Sequence, residues 1–258
     1  MRISLSPIKH VLAASALAAI ILPAAAGPGE LTVVTEPSIA GAITASAKAF
    51  EKETGQHVAV LVVKPHQIQS AIKGMDHPDI AVLSDALLEK AIQAGNAQAD
   101  TKKPLGQVSL GVVVKQGAAK PDVSTPEALK QALDAAKSIV YSDPGDSATG
   151  KQVAQVISAL GMADAIKGKT TLSASANPMS QVALGAAELG LHPVNEALDT
   201  EGVTLAGAVP AGLQQPARYS AALTAEAPNL SEAQRLMAFL AGRAGRAVLA
   251  AKGVQDVR

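Results

Sequence analysis

An α/β architecture made of two strand–helix units is the fold class this sequence predicts. Two patterns carry that expectation. Short apolar runs of strand length alternate with stretches whose apolar residues recur at the helical period. The turns between them are polar and lie where a helix starts, as strand–helix units in series require of a parallel sheet. The composition fits: 48% of the 258 residues are hydrophobic and only 2% aromatic, so the core must be built from Ala, Val, Leu and Ile.

The first 26 residues read as a targeting segment. Arg2 and Lys9 form a basic start, Val11 to Pro23 is apolar, and Ala24-Ala25-Ala26 before Gly27 is a small-residue cleavage site. The apolar run is too short for a comfortable membrane span. The expected mature chain starts near Gly27, is exported to a periplasm, and is long enough for one large domain or two smaller ones. The chain has no cysteine, so thiol chemistry and disulfides are excluded. Its 22 basic and 22 acidic residues balance, which gives no electrostatic signature for nucleic acid or anionic lipid. With two Phe, two Tyr and no Trp, stacking sites for sugars and flat ligands are disfavoured.

Leu31 to Thr35 reads as a buried strand. Glu36-Pro37-Ser38 is a turn, and a helix follows from Ile39 to Thr54, ended by Gly55. Val58 to Val63 is a second strand with no polar alternation, so both of its faces are expected to be covered. Lys64-Pro65-His66-Gln67 leads into a short helix to Lys73. Asp79 to Leu83 is a third strand, followed by Ser84-Asp85 and a helix to Ala94, stopped by Gly95. Val108 to Val114 reads as one long strand leaving this unit.

In the second unit Thr125 caps a helix with Pro126 at its first position. Ile139 to Tyr141 is a strand, S-D-P-G-D-S-A-T-G a turn, and Val153, Val156, Ile157 and Leu160 are one face of the next helix. Ser147 or Thr149 can cap it. Thr170 to Ala174 is a short strand, and Asn177 to Ser180 opens a helix running to Ala187. Leu189 to Leu191 and Val203 to Val209 are strands. Tyr219 to Thr224 returns to the first unit, and Ser231 caps a final helix. The expected lobes are 27–110 with 219–258, and 111–218, joined by two crossings, with a cleft between them.

A helix that starts just beyond a strand points free N–H groups and a partial positive charge above the sheet, which suits an anion. Ser38, Ser84 and the segment Ser147 to Thr149 all occupy such places, and each is equally a cap or turn residue. Glu36 at a helix start could favour the dipole, serve as a base or repel an anion. Asp76, His77 and Asp79 precede a strand and lack a convincing ligand set, so no metal is expected. The glycines lack phosphate-loop spacing, and no cofactor is expected.

The segments L-T-V-V-T-E-P-S-I-A-G-A-I, P-D-I-A-V-L-S-D, S-D-P-G-D-S-A-T-G and L-G-L-H-P-V-N-E-A together resemble the periplasmic solute-binding proteins of ABC importers, of the molybdate-binding type. The resemblance spans essentially the whole mature chain. It implies a two-lobed type II fold that closes on a small anion and hands it to a membrane permease. A trap that must open and close is expected to be a monomer. Ser38 matches the first oxyanion-binding serine, Ser147 to Thr149 a backbone donor segment, and Asn177 to Ser180, with Met179, a second. Two places depart from the pattern. Lys64-Pro65-His66-Gln67 stands where the family has a run of serines, and His192-Pro193 where it has a ligand-binding tyrosine. Lys64, His66 and His192 supply cationic or switchable donors, better matched to a carboxylate.

The Y-S-D turn at Tyr141, the segment V-K-Q-G-A-A-K-P-D from Val114 and the Y-S-A strand at Tyr219 also resemble the aconitate isomerases, exported enzymes of the same binding-protein-like scaffold. An isomerase must move a proton next to an alkene or carbonyl and needs a base near neutral pKa. Glu36, His66 and His192 are the candidates on that alternative.

Overall fold

Two five-stranded sheets, each covered by helices on both faces, make up the computed structural model, which describes residues 29–74, 77–175 and 177–256. The expected leader lies outside the described residues. Among those residues no helix is long and apolar enough to cross a membrane.

The first sheet takes β1 (Leu31–Thr35), β2 (Val58–Val62), β3 (Ile80–Ser84), β4 (Lys103–Val108) and β10 (Ala217–Leu223), in the order β2-β1-β3-β10-β4. One face carries α1 (Ala40–Thr54), α9 (Leu230–Ala241) and α10 (Arg243–Ala251). Ile43, Phe50, Leu236, Leu240 and Leu249 are buried there, and the rings of Phe50 and Phe239 meet edge to face at 5.4 Å. The other face carries α2 (Ile68–Ile72) and α3 (Asp85–Gln93), with Ile68, Ile72 and Leu88 buried.

The second sheet takes β5 (Leu110–Lys115), β6 (Ile139–Ser142), β7 (Thr170–Ser173), β8 (Leu189–Pro193) and β9 (Val203–Ala208), in the order β7-β6-β8-β5-β9. Its faces are covered by α4 (Pro126–Ala135), α5 (Ala148–Ala159) and α6 (Ala163–Ile166) on one side, and by α7 (Met179–Ala183) and α8 (Val194–Leu198) on the other.

Local signals act where the sequence puts them. Gly55 and Gly95 sit at left-handed φ of 74° and 71° after α1 and α3. The Thr125 hydroxyl accepts from Ala128 N–H at 3.1 Å, and Ser147 Oγ accepts from Gly150 N–H at 3.3 Å.

The structure differs from the sequence reading at four places. Neither sheet is purely parallel: β10 runs antiparallel between β3 and β4, and β5 antiparallel between β8 and β9. Each is the strand by which the chain enters a sheet from the other one. β2 is an edge strand, and Val62 is 46% exposed, because apolar continuity does not distinguish a central strand from an edge. The expected strand over Val108–Val114 breaks at Ser109 into β4 and β5. β4 was hidden by Pro104 and Gly106, residues that weaken a strand signal but are tolerated at a sheet edge. The last long helix starts at Leu230, with Asn229 and not Ser231 at its cap position. Asn229 N–H is held by Asp79 Oδ1 at 2.7 Å and its amide by the Glu30 carbonyl at 3.1 Å. Asp79, 1% exposed, also accepts from Thr32 N–H at 2.9 Å, so it is a strut between β1, β3 and the start of α9.

The chain passes between the sheets at Ser109 and again over residues 209–216. Gln214 joins the two passages: Leu110 N–H donates to its Oε1 at 2.7 Å, and its Nε2 donates to the Val209 carbonyl at 2.5 Å.

Candidate functional site

The carboxyl end of β1 is where the two halves of the molecule meet on named polar groups. Thr35 closes the strand by donating to the Val82 carbonyl at 2.8 Å. Glu36 follows with extended backbone, φ −97° and ψ 156°, and Pro37 starts a 3-10 turn over Pro37–Ile39. Glu36 is 7% exposed, and its Oε1 accepts from Ser84 N–H at 2.6 Å. That bond ties the ends of β1 and β3 together, and it is charge-assisted.

Ser38 lies in the 3-10 turn and caps no helix with its side chain. Its Oγ accepts from the Tyr219 hydroxyl at 3.0 Å, and its carbonyl accepts from Asn195 Nδ2 at 2.5 Å. Tyr219 belongs to β10 of the first sheet, whereas Asn195 belongs to α8 against the second. Ser38 is therefore bonded from both sides of the junction.

Tyr219 is 4% exposed. Burial, opposed by the bond to Ser38 and assisted by the charges of Glu36 and Glu196, pushes its phenol up to about 12. His192, at the end of β8, is 1% exposed; its Nε2 lies 3.1 Å from Glu196 Oε2, the two being four residues apart. His192 Nδ1 and Asn195 Oδ1 are buried without a hydrogen-bond partner.

The same helix α8 fastens the halves a second time. Asp199 Oδ1 receives Lys252 Nζ at 2.7 Å, from just beyond α10. A Cβ on Gly41 would lie 2.2 Å from Asp199 Oδ2, so the Asp199 carboxylate would have to turn aside for any larger residue there.

Of the residues singled out from sequence, Glu36, Ser38, Ser84 and His192 belong to this connected group. Ser84 sits at the cap position of α3 without a side-chain capping bond, and it lines an open cavity of about 700 Å³ with Asp85, Gln214 and Arg218. Lys64 and His66 stay exposed at the end of the edge strand β2; among the described residues no hydrogen bond or ion pair joins their side chains to Ser38.

Ser147 spends its hydroxyl capping α5, and Thr149 is half-buried in the first turn beside it. Gly150 is required there, since a Cβ would lie 2.3 Å from the Ser142 carbonyl. Asp143 shapes the turn, its Oδ1 accepting from Gly145 N–H at 2.7 Å and its carbonyl from Ser147 N–H at 2.9 Å. Asn177 Oδ1 accepts from Met179 N–H at 3.0 Å, and its Nδ2 donates to Thr200 at 2.8 Å. Met179 N–H is thereby engaged, and its side chain is fully buried against Gly190.

Sequence reasoning missed Asn195, Glu196 and the role of Tyr219. His192 and Glu196 four apart was a usable signal for a paired histidine. Nothing local pointed to Tyr219 or Asn195 meeting Ser38 across 181 and 157 residues. His57 lies between Glu30 and Glu51 at 3.0 and 2.6 Å on an exposed surface. Among the described residues no cluster is suited to a metal ion.

Two α/β lobes, joined by two chain passages and meeting over the carboxyl ends of their strands, define a two-lobed type II periplasmic-binding-protein fold. The chain belongs to the bacterial extracellular solute-binding protein family, whose model matches residues 31–255. Among individual proteins it is 30% identical to an aconitate isomerase of a Pseudomonas species, over 95% of this chain and 93% of that one. In fold it matches a substrate-binding domain assigned to a molybdenum ABC transporter of Clostridium difficile, with a TM-score of 0.76 at 16% identity over 89% and 99% of the two chains. It also matches the periplasmic molybdate-binding protein of Azotobacter vinelandii, with a TM-score of 0.66 at 22% identity over 88% and 100%.

Proposed function

We propose that this chain captures a small organic carboxylate in the cleft between its lobes, in the periplasm, and delivers it to an ABC-transporter permease. The observation that carries the reading is the junction on Ser38. A serine at the carboxyl end of a parallel strand, at a 3-10 turn leading into α1, is bonded by Tyr219 from its own lobe and by Asn195 from the other. Lobe closure and the site then share one residue, as a ligand trap requires. A carboxylate is favoured over molybdate because His192 and Lys64 stand where the molybdate-binding type has a tyrosine and serines. Family membership supports solute capture itself.

The test is a thermal-shift series on the mature protein with citrate, both aconitates, molybdate, tungstate, sulfate and phosphate. A ligand that binds only the folded state raises the melting temperature by mass action. Carboxylates alone are expected to do so, and the double variant Ser38→Ala with Thr149→Ala to weaken the response. A response to molybdate or tungstate alone overturns the carboxylate assignment. Unchanged affinity in the double variant overturns the placement.

A second reading has its own support: the 30% identical relative is an aconitate isomerase, and a buried histidine, His192, paired with the half-buried carboxylate of Glu196 sits beside the junction. On this reading the chain isomerises an unsaturated tricarboxylate. A proton leaves the methylene carbon to a base, the double bond shifts along one position, and a proton returns to the former vinylic carbon. Glu196 would hold Nε2–H of His192 and leave Nδ1 as the base. Interconversion of cis- and trans-aconitate followed by proton NMR in heavy water, with deuterium entering the methylene, is the expected result. Absence of turnover and exchange in a sample that binds aconitate removes this reading and leaves capture.

A further inference from the structure

We infer that Tyr219 is a positioning residue that fixes the Ser38 hydroxyl as a hydrogen-bond donor toward the bound anion. The inference rests on the reading of Ser38 as an anion-binding residue.

The geometry leaves the phenol one arrangement. Tyr219 is buried, and among the described residues its hydroxyl has a single hydrogen-bond partner, Ser38 Oγ at 3.0 Å. A buried O–H without an acceptor is costly, so the phenol proton goes to Ser38. The serine oxygen then acts as acceptor on that side and turns its own proton elsewhere. Among the described residues Ser38 Oγ makes no other hydrogen bond, and Ser38 is only half-buried. The phenol keeps the proton it donates at any physiological pH, since burial and the nearby carboxylates of Glu36 and Glu196 push it up to about 12.

The surroundings explain why such a relay is needed. Glu36 sits two residues before Ser38 and would repel an anion, but its Oε1 is engaged by Ser84 N–H. A serine free to rotate could turn its lone pairs toward the ligand. Tyr219 removes that option without adding charge. Two neighbouring groups thus give a neutral, preorganised donor of the kind that holds an anion.

The test uses calorimetric titration of the wild type, Tyr219→Phe, Ser38→Ala and the double variant with citrate, trans-aconitate, molybdate and sulfate. Tyr219→Phe keeps the packing and removes the donor. It is expected to weaken binding about tenfold, and to have less than about a twofold effect in the Ser38→Ala background. Binding unchanged by Tyr219→Phe, or weakened equally in both backgrounds, overturns the positioning role while leaving the capture reading intact. A wild type that binds none of the four anions overturns both.

A spectroscopic readout addresses the contact without a ligand. The chain has no Trp and two Tyr, so in a Tyr141→Phe background the near-ultraviolet phenolate signal reports Tyr219 alone. Ser38→Ala is expected to move that titration to still higher pH, because once the phenol ionises the Ser38 hydroxyl turns to donate to the phenolate, which is how the contact lowers the value. An unmoved titration overturns the Tyr219–Ser38 contact on which the inference stands.

Discussion

Asn195 Nδ2 donates to the Ser38 carbonyl at 2.5 Å, joining residues that are 157 positions apart and belong to opposite lobes. Asn195 Oδ1 beside it is buried and unpaired, and Glu196 and Glu36 place two carboxylates near Tyr219. Asn195→Ala loses one cross-lobe bond but also removes an unsatisfied acceptor, so a cost of about 1 kcal/mol is expected. Asn195→Asp places a third carboxylate in this region and is expected to cost at least about 2 kcal/mol more at neutral pH. Urea unfolding of the two variants checks this. Equal midpoints would refute the electrostatic account of the junction.

Gln214 clamps the two chain passages through Leu110 and Val209. Gln214→Ala leaves the Leu110 N–H without its partner and is expected to cost about 1–3 kcal/mol. Hydrogen exchange should show faster opening at Leu110 than at Val112 in the strand interior. Equal protection at both residues, unchanged between wild type and Gln214→Ala, would mean the clamp is not felt.

Gly150 stands where α5 begins, with the Ser142 carbonyl 2.3 Å from where a Cβ would be. Gly150→Ala must push the Ser147–Thr149 turn aside. A loss of about 2 kcal/mol or more in stability is expected, together with weaker anion binding. Gly168→Ala meets nothing within 4 Å and serves as the control, with an effect within about 0.5 kcal/mol. Similar melting temperatures for the two variants would show that the turn is not tightly held.

Tyr219 gives a pH dependence with a definite sign. Its folded-state value, about 12, lies above the ordinary phenol value of 10.0. The folded chain therefore holds the proton more tightly than the unfolded chain, and the associated stability is intact below pH 10. It falls as pH rises from about 10 to about 12, by roughly 2–3 kcal/mol at the end of that range. Measured against Tyr219→Phe, which has no such group, the wild type should lose stability faster over this window. Parallel curves would place Tyr219 in contact with water.

Caps, helix stops and the apolar stripe of α5 were legible because each is set within a few residues. Thr125 with Ala128 and Ser147 with Gly150 are examples. The strands β1, β3 and β6 were legible as apolar runs, but neither their neighbours nor their direction could be read. That is why the sequence pattern of β2 implies a covered strand and that of β10 a simple return. Within the candidate site, Ser38, Ser84 and Ser147 announce themselves by standing at strand–helix turns. Asn195, Glu196 and Tyr219 do not, since their partners are fixed by the packing of α8 and β10. Asn177 and Met179 show the converse: the expected donor segment is engaged within itself.

β10 occupies the slot between β3 and β4, whereas every strand of the second sheet falls between residues 110 and 208. As the chain lengthens during synthesis, the second sheet can therefore assemble from contiguous material while the first still has a gap between β3 and β4. That gap closes only when residue 223 has emerged, and α9 and α10 can seal the face over it only later. The lobe that holds Glu36, Ser38 and Ser84 is thus the last to become native, although it holds the earliest described residues. A truncation before 217 is expected to leave one folded lobe and one open sheet with β3 and β4 unpaired at adjoining edges, a species prone to aggregation.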